Sequence, residues 1–155
     1  MIKKIVSGGQ TGADRGGLEA AKNAGIQTGG YCPYGYLTEN GYDLSLLEFG
    51  LKQTKSRGYI ERTILNIKYS DGTVIFSKVN SSEKIEHDGS LLTLRTCKKL
   101  RKPVILNPTA KEFTEWIKEN KISVLNIAGN RESVNPGIKR RVKMFLAKAL
   151  KMNIN

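Results

Sequence analysis

Residues 6–17, VSGGQTGADRGG, hold five glycines in twelve positions and follow the short apolar run IKKIV at residues 2–6. A buried strand that breaks into a glycine-rich turn just before a helix is a common way of building a phosphate-binding loop. Glycines let the backbone approach an anion closely, and the start of the helix supplies free N–H groups. The stretch therefore predicts a strand–loop–helix unit that can hold an anion.

This loop matches neither of the two best-known nucleotide fingerprints. The dinucleotide pattern G-x-G-x-x-G fails because Gly8 and Gly9 are adjacent. The P-loop pattern fails because Ala13 and Asp14 stand where Lys and Ser or Thr would be. ATP hydrolysis of the P-loop kind is therefore not expected, and a tight turn without a ligand is the alternative interpretation.

Apolar strands alternate with helical patterns through the rest of the chain, apart from residues 26–57, which show no clear pattern. We predict strands at residues 2–6, 72–77, 103–107 and 122–129. We predict helices at residues 15–24, 59–70, 90–102 and 111–120, and a last one with Pro136 in its first turn. This alternation implies a parallel sheet with helices on both faces. We expect one α/β domain over residues 1–155, Rossmann-like, doubly wound and mostly parallel.

Polar residues follow three of the predicted strands, at the edge where ligands bind in such folds. The first loop supplies Ser7, Gly8, Gly9, Gln10, Thr11, Gly12, Asp14 and Arg15. The second supplies Gly89, Ser90 and Thr93, and the third supplies Arg131, Glu132 and Ser133. Because the loops share one edge of the sheet, we expect one site for an elongated polyanionic or nucleotide-like ligand.

Several polar residues also have a structural interpretation. Asp14 can cap the first helix, or contact a ribose hydroxyl or a metal-bound water, since a carboxylate repels phosphate. Arg131 can bind a phosphate or carboxylate in bidentate fashion, or form a salt bridge with a neighbouring acid. We interpret His87, in a polar loop at 78–88 that is a candidate lid, as a surface histidine. Asp71, at the start of its strand, is interpreted as part of a turn.

The net charge of this 155-residue chain is +12, and two segments supply most of the excess. Residues 95–102 and 139–151 carry five and six basic side chains, respectively, and no acidic one. Such segments attract anions, including nucleic acid. The favoured interpretation is two solvated helix faces, and nucleic-acid binding is not expected.

Composition and length restrict the class of protein further. The two cysteines, Cys32 and Cys97, are expected to be free thiols, and a single histidine argues against a zinc site, so no metal ligands are predicted. No apolar run approaches the roughly 20 residues of a membrane span. The apolar stretch at the start is too short for a signal peptide, so a cytoplasmic protein without membrane contact is expected.

Four segments, SGGQTGADRGGLEAA, GGYCPYGYLTENG, ERTILNIKYSDGTVIF and VLNIAGNRESVNPGI, together resemble the putative molybdenum carrier family. This family is also described as the circularly permuted YpsA-like branch of the Rossmann-like superfamily that includes lonely-guy-type phosphoribohydrolases. The resemblance extends from about residue 5 to residue 146. SGGQTGAD and AGNRES are its most specific motifs.

The resemblance implies a phosphate-type ligand site at the glycine loops, a homo-oligomer (dimer or tetramer) and carriage of the molybdenum cofactor. That cofactor is a pterin with a phosphate and a molybdenum–dithiolene group, and a molybdoenzyme would be its acceptor. Matching the family's motifs adds Arg62, Asn66, Asp71 and Thr73 to the residues of the site.

The superfamily also implies an alternative, a nucleotide-processing enzyme that cleaves an N-glycosidic bond, with Glu132 or Asp14 as acid or base. The chain lacks the full PGGxGTxxE motif of the lonely-guy group. It also shows no Ser-His-Asp arrangement or activated cysteine motif. A non-catalytic carrier is therefore favoured, and catalytic residues are left unassigned.

The chain departs from the family's pattern at three places. Tyr69 precedes Ser70 and Asp71 where the family usually has Asp-Ser-Asp, and Asp88-Gly89-Ser90 stands where Gly-Gly-Thr is frequent. Both changes affect the expected ligand geometry at the second loop. Tyr34 replaces a common basic residue and supplies a ring that can stack on a pterin or a base.

Overall fold

The computed structural model describes residues 1–154, with side chains through Met152. Its strands are β1 (Lys4–Ser7), β2 (Gln27–Gly29), β3 (Tyr31–Cys32), β4 (Leu37–Thr38), β5 (Gly41–Tyr42), β6 (Lys52–Gln53), β7 (Gly72–Phe76), β8 (Val104–Leu106) and β9 (Val124–Gly129). Its α-helices are α1 (Ala13–Asn23), α2 (Ile60–Lys68), α3 (Asp88–Lys99), α4 (Ala110–Glu119) and α5 (Ile138–Ile154), and a 3-10 helix spans Leu44–Phe49.

Five parallel strands form the central sheet in the order β2-β1-β9-β7-β8. In this register Ile5 of β1 pairs with Leu125 of β9, and Val74 of β7 pairs with Ile127 of β9. All the pairings in this sheet are parallel. The prediction of a doubly wound, mostly parallel α/β fold is confirmed.

Consecutive residues of the central strands pack into different cores, as expected for a sheet with both faces covered. Val74 and Phe76 of β7 join a core built with α1, α4 and α5. Ile75, between them, joins Ala128 in a second core against α3. The two basic segments therefore lie on opposite faces, at the end of α3 and along α5, so they do not form one continuous basic surface.

A segment of short strands, residues 31–53, packs against α1 and the glycine loop, and we call it the cap. Its small core consists of Leu18, Cys32, Leu46, Phe49 and Leu51, with Tyr36 packed against it. The cap lies directly on the glycine loop: a Cβ at Gly9 would be 2.7 Å from Leu51 Cδ2. The expectation of free thiols is confirmed for Cys32, in this core, and for Cys97 in α3.

Three local features differ from the sequence predictions. The edge strand β2 lies within residues 26–57, where no pattern was found, because three residues are too few to show alternation. Helix α5 begins at Ile138, so Pro136 precedes the helix instead of standing in its first turn. Ile60, Ile64 and Ile67 recur at helical spacing in the sequence, which predicts one buried face, but Ile60 and Ile64 are exposed because α2 buries Thr63, Asn66 and Ile67.

Within the described residues, no helix is both long enough and apolar enough to cross a membrane.

Candidate functional site

A cleft opens at the carboxyl ends of β1 and β9, and we call it the main cleft. Four parts of the chain line it: the glycine loop with the start of α1, the start of α2, the start of α3, and the loop after β9. The lining residues are Gln10, Asp14, Tyr59, Arg62, Thr63, His87, Gly89, Leu92, Thr93, Ala128, Gly129 and Arg131. The topology thus brings the three predicted loops to one place.

Asp14 lies in the wall of this cleft, 3% exposed. Its Oδ2 accepts a hydrogen bond from the N–H of Gln10 at 3.1 Å and lies 3.9 Å from Arg62 Nη1. Burial raises the pKa of Asp14 from 3.8 to about 6, against the lowering effects of the Arg62 charge and of the N–H groups of Gln10 and Gly8. The expectation that Asp14 caps α1 is wrong, since Gly12 stands at the cap position and no side chain caps it.

Arg62 extends from α2 across the glycine loop. A Cβ at Gly8 would lie 2.2 Å from Arg62 Nη1, so the absence of a side chain at Gly8 makes room for the guanidinium. The other side of the guanidinium faces the Tyr59 ring, 5.1 Å from its centroid, at a distance suited to a cation–π interaction. The Tyr59 ring and the space left by the missing side chain at Gly8 together position the Arg62 guanidinium at the cleft.

Three buried nitrogen atoms in the cleft wall lack hydrogen-bond partners among the residues whose side chains are described. They are Arg62 Nε, His87 Nδ1 and Arg131 Nε. Arg131 Nε does lie 3.3 Å from a carboxylate oxygen of Glu39, as an ion pair without hydrogen-bond alignment. Burying a hydrogen-bond donor without a partner costs folding free energy. Because these nitrogen atoms belong to residues that line one cleft, the cleft suits a ligand with acceptor atoms. His87, interpreted from the sequence as a surface residue, lines this cleft.

The amides of the glycine loop are largely satisfied within the protein. The N–H of Gly9 donates to Ser7 Oγ at 3.2 Å, and that of Thr11 to Gln10 Oε1 at 3.0 Å. The N–H of Gln10 donates to Asp14, as described above. These amides are therefore not free for an anion, and the charged side chains around the cleft are the better placed donors.

Gly12 joins the glycine loop to the loop after β9. Its φ of 80° suits glycine, and a Cβ there would lie 2.4 Å from the carbonyl oxygen of Asn130. The N–H of Ala13 donates to that same oxygen at 3.0 Å. This close approach brings Arg131 beside Gln10 in the cleft wall.

Asn130, 1% exposed, connects the exits of β7 and β9 to the start of α3 and was not among the predicted site residues. Its Oδ1 accepts from the N–H of Lys78 at 2.7 Å. Its Nδ2 donates to Ser77 Oγ at 3.1 Å and to Ser90 Oγ at 3.4 Å. Ser90, a predicted site residue, is therefore bonded to Asn130 and does not line the main cleft. The motif AGNRES contains Asn130, but its spacing alone did not indicate this role.

Arg15 of the first loop and Glu132 of the third are not among the residues that line the main cleft. Arg15 donates to Ser45 Oγ at 2.7 Å and lies over the Phe49 ring at 4.8 Å, so it fastens the cap to α1. Glu132 accepts from the N–H groups of Gly137 at 2.5 Å and Lys139 at 3.1 Å, at the start of α5. Their side chains have structural partners.

Asp71 and Thr73, carried over from the family's motifs, are not brought to the cleft. Asp71 Oδ2 accepts from the N–H groups of Ser123 and Val124, at 2.9 and 2.7 Å, at the opposite end of the sheet. Thr73, fully buried near the start of β7, accepts from Asn126 Nδ2 at 3.2 Å. Both residues precede the exit of β7, and neither lines the main cleft.

Asn66 and Tyr34 also lie outside the lining of the main cleft. Asn66 bonds the backbone of Tyr31 twice, accepting at 2.8 Å and donating at 2.9 Å, and so anchors the cap to α2. Tyr34 is 48% exposed in the cap and is not among the cleft's lining residues. Among the described side chains, no group of three His, Cys, Asp or Glu residues is arranged to hold a metal ion.

The circularly permutated YpsA SLOG family matches residues 5–150 of this sequence. The chain belongs to this family. Among solved structures it is similar to the crystal structure of the putative molybdenum carrier protein from Syntrophus aciditrophicus SB, with 32% sequence identity and a TM-score of 0.82. That similarity covers 99% of this chain and 96% of the other. No curated protein matches the chain.

The family assignment confirms the resemblance drawn from the four sequence segments. Every lining residue of the main cleft lies within the matched range. A cleft at the strand exits of a Rossmann-like sheet is where ligands bind in this class of fold. The geometry therefore makes the main cleft the candidate ligand site.

Proposed function

We propose that this protein binds a small anion with a planar ring in the main cleft, and that it carries the molybdenum cofactor. The observation that carries the proposal is Arg62, whose buried Nε has no hydrogen-bond partner among the described side chains. Arg131 and His87 present further nitrogen atoms in the same wall. Guanidinium groups bind phosphate through paired N–H donors, so a phosphate fits this set of residues.

The apolar part of the cleft suits the ring of such a ligand. Tyr59, Leu92 and Ala128 line it beside the charged residues. A pterin or a nucleobase has an apolar face and polar edges. Gln10 and Thr93, which also line the cleft, would form hydrogen bonds with those edges. A pterin phosphate would therefore place its phosphate at Arg62 and Arg131 and its ring against Tyr59 and Leu92.

The comparisons support a molybdenum-related ligand more than a nucleotide. The similar crystal structure is described as that of a putative molybdenum carrier protein, and the similarity extends over nearly the whole of both chains. On this proposal the bound cofactor supplies the molybdenum, and the protein supplies binding and shielding. Assembly into a homo-oligomer and delivery to a molybdoenzyme are parts of the same proposal.

The proposal is tested on protein purified from its own host under native conditions. Native mass spectrometry is expected to show a retained ligand of pterin-phosphate mass, and elemental analysis is expected to show molybdenum in the same sample. Arg62→Ala protein, prepared identically, is expected to contain much less of both. The proposal would be contradicted if calorimetric titration detected no binding of any phosphate-bearing ligand at millimolar concentration.

One observation favours a second candidate, cleavage of a nucleotide at its N-glycosidic bond. Asp14 lines the cleft with a pKa raised to about 6 by burial, which suits a group that donates a proton near neutral pH. Glu132, the other acid considered, has its carboxylate engaged at the start of α5. Release of free base from AMP, GMP, CMP or UMP, lost in Asp14→Asn, supports this candidate, and no release from any of the four contradicts it.

A further inference from the structure

A set of donors beside the main cleft holds the carboxylate of Glu39. Glu39 Oε1 accepts hydrogen bonds from the Thr11 hydroxyl and from the N–H of Ser133, the latter at 3.2 Å. Glu39 Oε2 accepts from the Ser133 hydroxyl and lies 3.3 Å from Arg131 Nε. We call Thr11, Arg131 and Ser133 the oxyanion cradle. It binds a carboxylate from two loops at once.

Glu39 reaches the cradle from the cap and not from the sheet. It lies in the turn between β4 and β5, a hairpin with two residue pairs, Leu37 with Tyr42 and Thr38 with Gly41. Its own N–H donates to Gln10 Oε1 at 2.9 Å. The apolar anchors of the cap are elsewhere, in the 3-10 helix and at Leu51. The tip of the hairpin is therefore attached by polar contacts, which can open without unpacking the cap's core.

The cradle lies between two cavities. Arg131 lines the main cleft, whereas Thr11 lines a second cavity between the cap and α1. Gln10 lines both cavities. Glu39 thus contacts Arg131 in the wall of the main cleft and Thr11 in the wall of the second cavity. Removing the Glu39 side chain would leave the donors of the cradle without this acceptor, in the space between the two cavities.

Glu39 is held as an anion. Its side chain is 12% exposed, and burial alone would raise its pKa. Hydrogen bonds from Ser133 and Thr11, with the charge of Arg131, outweigh that effect and lower the pKa below its usual value. A hydroxyl pair, an amide N–H and a guanidinium are also the donors that bind phosphate oxygens in proteins.

We propose that Glu39 occupies an anion subsite as an internal substitute for a ligand oxyanion, and that the β4–β5 hairpin closes this subsite until a ligand displaces it. The inference rests on the proposed function, since a ligand in the main cleft shares Arg131 with the cradle. An anion bound beside Arg131 repels the Glu39 carboxylate and competes for the same guanidinium. A ligand with two anionic groups, such as a diphosphate, fills both the main cleft and the cradle.

The test compares binding of inorganic pyrophosphate to wild-type protein and to Glu39→Gln and Glu39→Ala. The amide resonance of Ser133, followed by NMR, reports directly on the cradle. Removing an internal competitor raises the fraction of open subsite, so both variants are expected to bind at least about tenfold more tightly than wild type. Glu48→Gln is the matched control, because it removes one exposed negative charge from the same cap, where Glu48 pairs with Lys22.

Four further outcomes decide the matter. If Ser133→Ala in the Glu39→Ala background abolishes the gain, the cradle is the subsite. If the Glu39 variants bind no more tightly than Glu48→Gln, or more weakly than wild type, Glu39 only positions Arg131 and the inference is overturned. If wild type binds pyrophosphate in an Arg62-dependent way without that gain, the proposed function survives alone, whereas no binding by any variant at millimolar pyrophosphate overturns both.

Discussion

Arg62 Nη1 lies 3.9 Å from Asp14 Oδ2, with 15% and 5% of the two side chains exposed. This distance is too long for a hydrogen bond. The Asp14 carboxylate therefore neutralises part of the Arg62 charge without accepting a hydrogen bond from the guanidinium. Asp14 in turn is held close to its titration point by burial. The pair thus joins a cation that can bind an anion to a carboxyl group that can release or take up a proton near neutral pH.

Arg62→Ala is expected to weaken binding of a phosphate-bearing ligand at least tenfold, since a hydrogen bond to a charged group contributes about 1.5–3 kcal/mol. Arg62→Lys is expected to recover only part of the affinity, because an ammonium group cannot form the paired contacts of a guanidinium. Calorimetric titration measures both. The exposed Arg57 provides the control, and an equal loss in Arg57→Ala would show that only net charge matters.

Asp14→Asn is expected to change how stability depends on pH. Because the folded pKa of Asp14, about 6, exceeds its ordinary value of 3.8, the folded state binds the proton more tightly than the unfolded state. Wild-type stability should therefore fall relative to Asp14→Asn as the pH rises from about 4 to about 6, by up to about 3 kcal/mol, and then stay level.

Urea unfolding of both proteins at several pH values between 4 and 7.5 measures this difference. The comparison between the two proteins cancels the contribution of other carboxyl groups, such as Glu19 and Glu39, whose pKa values are lowered. A difference that does not vary with pH would contradict the assignment of a raised pKa to Asp14.

Gly8→Ala is expected to abolish ligand binding with a smaller effect on folding. Gly8 has no left-handed backbone conformation, and the added methyl group meets the flexible end of Arg62. The guanidinium should therefore be displaced from the cleft while the strand keeps its conformation. Gly58→Ala is the control, since its nearest neighbour is Ser56 Oγ at 3.3 Å. Unchanged affinity in Gly8→Ala would mean that Arg62 does not bind the ligand from this position.

Asn130→Ala is expected to destabilise the protein by about 1–3 kcal/mol, because it leaves the N–H of Lys78 without its acceptor. Ligand binding should weaken too, since the start of α3 loses its tie to the loop after β9. Asn120→Ala, which removes one exposed hydrogen bond to Trp116 at the end of α4, should cost less. Thermal unfolding of the two variants compares them, and equal losses would assign Asn130 no special role.

The sequence predicted the fold because long apolar strands such as 72–77 alternate with clear helical patterns. It missed the edge strand β2 and the cap because their strands are only two or three residues long, too short to show a period. The glycine loop, predicted to hold an anion, lies beside the main cleft. Its amides, however, are satisfied by Ser7, Gln10 and Asp14.

Contacts between distant parts of the chain explain what could not be predicted at the site. Glu39 reaches Ser133 across 94 positions in the sequence, and no local pattern marks such a pair. Tyr59 and His87 reach the cleft only because α2 and α3 pack on the same face of the sheet. Asp71 was assigned to the site by motif alone, although the start of a strand lies at the edge opposite to its exit.

The most direct test of the central claim is equilibrium binding of isolated molybdenum cofactor to wild-type and Arg62→Ala protein, measured under anaerobic conditions by quenching of tyrosine and tryptophan fluorescence. Saturable binding by wild type, weakened at least tenfold in Arg62→Ala, is the predicted result. Absence of binding to wild type, or equal affinity in the two proteins, would contradict the account.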